Sequence, residues 1–177
     1  MDFSKFSYEV IHRKIKYSRL EFTSGRLQVI LPQGQSEIPL LTKYQKWIES
    51  KYNYINQCKG DAKNLTLQER TDSDFKYLIQ KLVNRISDEL QVKINKFFFR
   101  KMKTKWASIS SHNNITFNTI MSKLPEELME YIVYHEVVHI LERKHNNKFW
   151  DIIRKRYEEP SKHESQLLAY WFAMSSC

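Results

Sequence analysis

Tyr134-His135-Glu136-Val137-Val138-His139 is the stretch on which the reading of this chain turns. Each residue of an α-helix turns by about 100°, so positions four apart lie about 40° from each other. On a helix, His135 and His139 therefore stand one turn apart on one face, and their imidazoles reach a common point. Glu136 follows His135 directly and reaches a water at that point without being a ligand itself. Zinc accepts neutral imidazole nitrogens, and a carboxylate beside a metal-activated water is what metal-assisted hydrolysis requires. Leu128 and Ile132 fall on the same stripe as the two histidines. A helix carrying them without a partner would bury two polar rings at a cost that a metal removes. The pattern predicts one catalytic Zn2+ and assigns Glu136 as the general base.

Working outward, Leu124-Pro125-Glu126-Glu127 has the proline and first-turn acids of a helix start. The helix must run through His139. A third ligand has two candidates. His145 returns to the metal only if the helix ends near Arg143 or Lys144, an ending that Asn146-Asn147 favours. Metzincins share this spacing, with a Gly at the bend where Glu142 stands here. Glu164 is the rival, although Ser161-x-x-Glu164 also reads as a capping box. His145 is preferred. His12 and His163 read as ordinary polar residues.

The 177 residues suffice for one domain with a sizeable core, and 41% of them are apolar. No stretch reads as a transmembrane run, and Met1 to Phe6 has no apolar signal region. Cys58 and Cys177 are too few for a disulfide framework. A cytoplasmic protein with free thiols, not engaging a membrane, is expected. The net charge is +9, and no acid occurs between Glu89 and Glu126, where Lys93, Lys96, Arg100, Lys101, Lys103, Lys105 and Lys123 lie. Basic block 93–105 makes nucleic acid a candidate partner, against the plainer reading of a solvated lysine-rich face.

The expected class is α+β: an N-terminal antiparallel β-meander plus helix, then a zincin-like catalytic domain with an active-site helix and a small antiparallel sheet. The expected divisions are 1–58, a loop at 59–72, and a core at 73–177, which together are compatible with one compact domain. Tyr8 to Leu31 reads as strands with a turn at Ser24-Gly25. A helix is expected from about Leu41 to Gln57, with Thr42 and Gln45 as a capping box and Trp47, Ile48, Tyr52 and Ile55 as its stripe. Lys59 to Asn64 reads as a loop. Phe75 to Leu90 repeats at helical spacing, with Asp72 or Ser73 as its cap. Lys93 to Met102 and Ile115 to Asn118 read as strands, joined by a connection or short strand ending in a turn at Asn113-Asn114. Ile115 to Asn118, with Ile115 and Phe117, is the candidate edge strand for pairing with an extended substrate. A short helix is expected at Phe149 to Tyr157, and a last helix from Ser161 onward that bears Leu167, Leu168, Trp171 and Phe172.

Lys101-Met102-Lys103-Thr104-Lys105-Trp106-Ala107-Ser108-Ile109-Ser110, then Asn114-Ile115-Thr116-Phe117-Asn118, Leu124-Pro125, and His135-Glu136-x-x-His139 through His145 to Phe149-Trp150 resemble the YgjP-like metallopeptidases. That family shows a run of the R-M-K-T-R-W-G-S-C-S type, followed by G-N-I-x-L-N, L-P and the histidine motif. The resemblance covers nearly the whole chain. It implies a zincin-like zinc peptidase related to the SprT/Spartan-like proteases, with His135, His139 and His145 as ligands and Glu136 as base. The family's Gly and Cys appear here as Ala107 and Ile109, and its Ser after the third His as Asn146. The segment corresponding to Lys59–Asp72 looks shortened.

The expected reaction is hydrolysis of a peptide bond in a protein or peptide substrate. His112, Tyr134 and Lys105 are candidates for a second oxyanion donor. Trp106, Ile115 and Phe117 are candidate substrate contacts. Two other functions stand beside this one: a DNA-associated protease of the SprT type acting on DNA-bound protein, and a catalytically silent zinc-binding module.

Overall fold

The computed structural model describes residues 6–23 and 25–175. Ser24 of the expected hairpin turn, the start of the chain before Phe6, and Cys177 lie outside them. The chain forms two compact units, Met1–Asn64 with Phe172–Cys177, and Leu65–Trp171.

The first unit holds a three-stranded sheet of β1 (Tyr8–Arg13), β2 (Arg19–Thr23) and β3 (Arg26–Pro32), in the order β1-β3-β2. β2 and β3 form the expected hairpin, with Thr23 opposite Arg26. β1 lies on the far side of β3 and runs parallel to it, Ile11 beside Ile30, so the sheet is not the antiparallel meander that was expected. The physical reason is the composition of β3. Its Leu27, Val29, Ile30 and Leu31 are all at most 1% exposed. The central place pairs both edges of the most apolar strand and allows both its faces to be covered. Gly25 makes the turn at φ +75°, where a side chain would also meet the Phe172 ring at 3.0 Å.

The expected single helix is two helices, α1 (Ile38–Lys43) and α2 (Gln45–Ala62), broken at Tyr44. Pro39 opens α1, so Thr42 lies inside a helix and caps nothing. α2 continues through Lys59–Ala62, where a loop was expected. Lysine and alanine sustain a helix, and Gly60 costs only about 1 kcal/mol there. Ile48, Ile55 and Cys58 face the core, whereas Trp47 is 39% exposed and leans on Phe22 instead of joining the stripe.

The second unit opens with α3 (Asp72–Glu89), capped not by Asp72 or Ser73 but by Thr71, whose Oγ1 accepts the Asp74 N–H at 3.1 Å. Phe75, Ile79, Leu82, Val83 and Ile86 form its buried stripe. Its sheet contains β4 (Lys96–Arg100), β5 (Ala107–Ile109) and β6 (Asn114–Asn118), in the order β4-β6-β5. β5 and β6 are antiparallel, but β4 runs parallel to β6, so this sheet is mixed where an antiparallel one was expected. Phe97 and Phe99 turn inward against Phe117, and Phe99 meets Phe75 of α3 edge-on at 5.5 Å. Phe98 points outward and is 49% exposed.

A 3-10 turn (Thr119–Lys123) leads into α4 (Glu126–Leu141), followed by α5 (Asn147–Arg154) and α6 (Pro160–Ser175). Arg70 holds the entry to α4, donating to the Ser122 carbonyl at 2.9 Å. Glu130 on α4 pairs with Arg85 at 2.8 Å and with Arg156. α6 begins at Pro160, one residue before Ser161, so the expected Ser161–Glu164 capping box is not formed. Among the described residues no helix is long and apolar enough to cross a membrane.

Candidate metal centre

α4 is buried along most of its length, and it carries His135, Glu136 and His139 to the edge strand β5. The helix ends at Glu142, whose backbone is extended (φ −143°, ψ 111°). Any residue adopts that conformation, so the chain bends without the glycine that metzincins use. The bend brings His145 back: its Nε2 lies 2.9 Å from His135 Nε2. Donor atoms of His135, His139 and His145 all fall within 4.8 Å of one another. Asn146 then caps α5 by accepting the Phe149 N–H at 3.1 Å.

One ring supports all three imidazoles. Phe149, wholly buried, stacks on His139 (centroids 4.6 Å, 28°) and meets His135 and His145 edge-on at 4.9 and 4.7 Å. Trp150 stacks on His145 from another side at 5.9 Å. His139 Nδ1 lies 3.1 Å from the Glu142 carbonyl oxygen. A proton on Nδ1 makes that bond, which leaves the lone pair on Nε2 free to act as a donor toward the cluster. Burial, reinforced by the two neighbouring imidazoles, pushes His135 down to about 3. Burial likewise lowers His139. Both rings are therefore neutral at physiological pH, the form in which imidazole binds a metal. Three imidazole nitrogens converging on one point suit a zinc ion, whose protein ligand set in catalytic sites is commonly three.

Glu136 faces a cleft of about 350 Å³, which Ala107, Ser108 and Ile109 of β5 also line. Burial raises its carboxyl to about 7, against the opposing effects of Lys105 and the Ile109 N–H. Arg143, just past the bend, donates to the Ser110 carbonyl at 2.8 Å and to Asn113 Oδ1 at 2.6 Å. These bonds tie the segment bearing His145 to the β5–β6 turn, where Asn113 adopts φ +56°.

The remaining expected site residues divide. Lys105 lines the cleft, and Trp106 lines a chamber adjoining it. Ile115 and Phe117 are wholly buried, and β6 is the central strand, so β6 is not the edge strand that was expected; β5 is the outer strand beside α4. A central strand has both edges paired and offers none to a substrate. Tyr134 is buried against Tyr157 and the Arg156 guanidinium and does not line the cleft. His112 sits exposed in the β5–β6 turn beside Ser111, outside the cleft lining. Glu164, the rival ligand, is outside the three-histidine group but lines the chamber next to His135 and Glu136. The sequence reading missed Tyr131 and Arg143. Tyr131 stands one turn before His135 on the same face, a signal that was available; the partners of Arg143 lie some thirty residues away in sequence and left none.

A search of curated proteins returned no match. Among solved structures, the metallopeptidase zymogen abylysin of Pyrococcus abyssi is 25% identical, covering 51% of this chain and 91% of its own, with a TM-score of 0.47. The metallopeptidase zymogen jannalysin of Methanocaldococcus jannaschii is 29% identical, covering 50% of this chain and 90% of its own, with a TM-score of 0.45. Residues 60–170 match the family described as the YgjP-like metallopeptidase domain, and this chain belongs to that family.

Proposed function

We propose that the chain is a zinc-dependent peptidase, with His135, His139 and His145 holding the metal and Glu136 acting as general base. The observation that carries this reading is the convergence of three imidazoles beside a buried carboxyl that faces an open cleft. Zinc held there would acidify water and polarise the scissile carbonyl. Glu136 accepts the proton of the attacking water and returns it to the leaving amine, a role suited to a carboxyl whose pKa sits near neutrality. An extended substrate lies along β5, the outer strand of its sheet. Lys105, which lines the cleft and acts on Glu136, supplies positive charge to the developing oxyanion.

The test is purified wild-type protein beside Glu136→Gln. Both should carry one zinc per chain, and the variant should cleave unfolded protein about 10²- to 10⁴-fold more slowly. Zinc without any cleavage by the wild type would make the chain a silent zinc-binding module, and absence of zinc would end the proposal.

The outward face of β4 favours a second reading, in which the peptidase acts on protein bound to nucleic acid. Phe98 stands exposed between Lys96 and Arg100, the aromatic and basic pairing on which single-stranded nucleic acid stacks. Binding that weakens steeply with salt and is lost in Phe98→Ala would support it; no binding at low salt would remove it.

A further inference from the structure

Beside the cleft lies a chamber of about 230 Å³. The two share Lys105, Ala107, His135 and Glu136 on their linings. A side chain seated in the chamber therefore stands next to the carboxyl assigned as general base. Small-molecule sites begin at about 300 Å³, so this space suits one side chain of a longer substrate.

The other walls are mainly apolar. Trp106 stands just before β5, α4 contributes Tyr131 and Ile132, and α6 contributes Leu167. The last three are buried. The walls are also braced from behind. Trp106 meets Trp171 edge-on at 4.9 Å. Leu167 and Trp171 lie one turn apart on α6, so one face of that helix both lines the chamber and supports the indole across it. Tyr131 is held between His163, stacked at 4.8 Å, and Tyr157, edge-on at 5.0 Å. Lys105 directs its charge at Glu136, and Glu164, the other charged group on the lining, is engaged in an interaction of its own. A charged side chain entering this space would give up its hydration against aromatic and aliphatic faces. A leucine, methionine or phenylalanine would instead leave water for matching surfaces, and the two rings add edge-on and sulfur contacts.

We propose that this chamber seats a large apolar side chain adjacent to the scissile bond, and that Trp106, Tyr131, Ile132 and Leu167 make the selection. The proposal rests on the peptidase reading above and adds to it a substrate class. Leu167 is the wall that comes from outside the histidine motif and its strand, so its size can be changed without touching either.

The experiment is cleavage of a diverse peptide mixture by the zinc-loaded full chain, with product termini read by mass spectrometry. The wild type should show leucine, methionine or phenylalanine enriched at one position flanking the cut. A leucine peptide should exceed its alanine counterpart by about tenfold or more in kcat/KM. Two variants then change the size of the chamber in opposite directions. Leu167→Phe fills it and should bring the leucine-to-alanine ratio close to one. Leu167→Ala enlarges it and should shift the preference toward tyrosine and tryptophan. Zinc content should match the wild type in both, and either variant decides the matter if the other fails to fold. Cleavage by the wild type with no apolar preference, or with a preference for charged residues, overturns the pocket and leaves the peptidase reading standing. An unchanged profile in the folded variants, or an equal loss on all peptides, overturns the chamber as the seat of selection. No cleavage by the wild type removes both proposals.

Discussion

The two sheets of this chain have the same strand order and directions, yet among the described residues the three-histidine group lies beside one of them alone. In each, the first strand runs parallel to the third, and the second forms a hairpin with the third on its other edge. In each, the third strand is central and holds the most deeply buried side chains, Val29 and Leu31 in one, Ile115 and Phe117 in the other. They differ at the hairpin edge. β2 has five residues, all paired with β3. β5 has only three, and beside it runs a helix that presents two histidines and an acid. Strand topology alone therefore says nothing about chemistry; what is placed against the outer strand decides it.

The largest test of that contrast is a matched pair of core truncations. Phe117→Ala should cost about 3–5 kcal/mol and Leu31→Ala about 2–5 kcal/mol, read from urea unfolding. Metal affinity, measured on the same proteins, should weaken only in Phe117→Ala. Equal weakening in both would break the distinction between the sheets. Asn118, wholly buried, comes next: its Oδ1 accepts the Met102 N–H at 3.1 Å, and its Nδ2 donates to the Met102 and Lys105 carbonyls at 2.9 and 2.8 Å. Asn118→Ala strands those backbone groups and should lower stability by about 2–3 kcal/mol; an unchanged melting curve would show that water replaces the amide. Arg143→Ala releases the bend from the β5–β6 turn. Zinc affinity should fall about tenfold to a hundredfold with little change in melting temperature of the metal-free protein, as read by competition with a chelating dye.

The smallest effect is expected from acid. Burial pushes the Glu130 carboxyl up, but hydrogen bonds from Arg156 and Arg85 outweigh it and hold the group below the ordinary carboxylate value. The stability from this cluster is present above the unfolded pKa of about 4.3 and is lost as pH falls through the lower folded value. Glu130→Gln should therefore match the wild type more closely in stability at low pH than at pH 7, by about 1 kcal/mol or less. A constant difference across pH would show that the cluster acts by shape instead of charge.

Much of this was legible in the sequence because it was local. The spacing of His135 and His139 needs only helical geometry, and Leu124-Pro125 marked the start of their helix. The hairpins were readable from Gly25 and Asn113, whose conformations are left-handed. What was missed was nonlocal. Nothing in Tyr8–Arg13 says that it will pass over its neighbour and pair beyond it, and nothing in Lys96–Arg100 says so either. The difference had to come from burial of the third strand, which involves residues far along the chain. The misplaced helix caps had a third cause: Pro39 and Pro160 each began a helix earlier than the Thr42 and Ser161 signals suggested. The same shift removed the capping role first given to Glu164.

The three histidines span only residues 135–145, which makes the site look like a portable peptide. The grip of Arg143 on Ser110 and Asn113 shows otherwise. An engineer transplanting the motif into another scaffold would carry the three histidines and lose the fixture that aims the third one. The smallest transferable unit is thus the helix, the bend and the distant hairpin together, with Phe149 as the surface on which the rings rest.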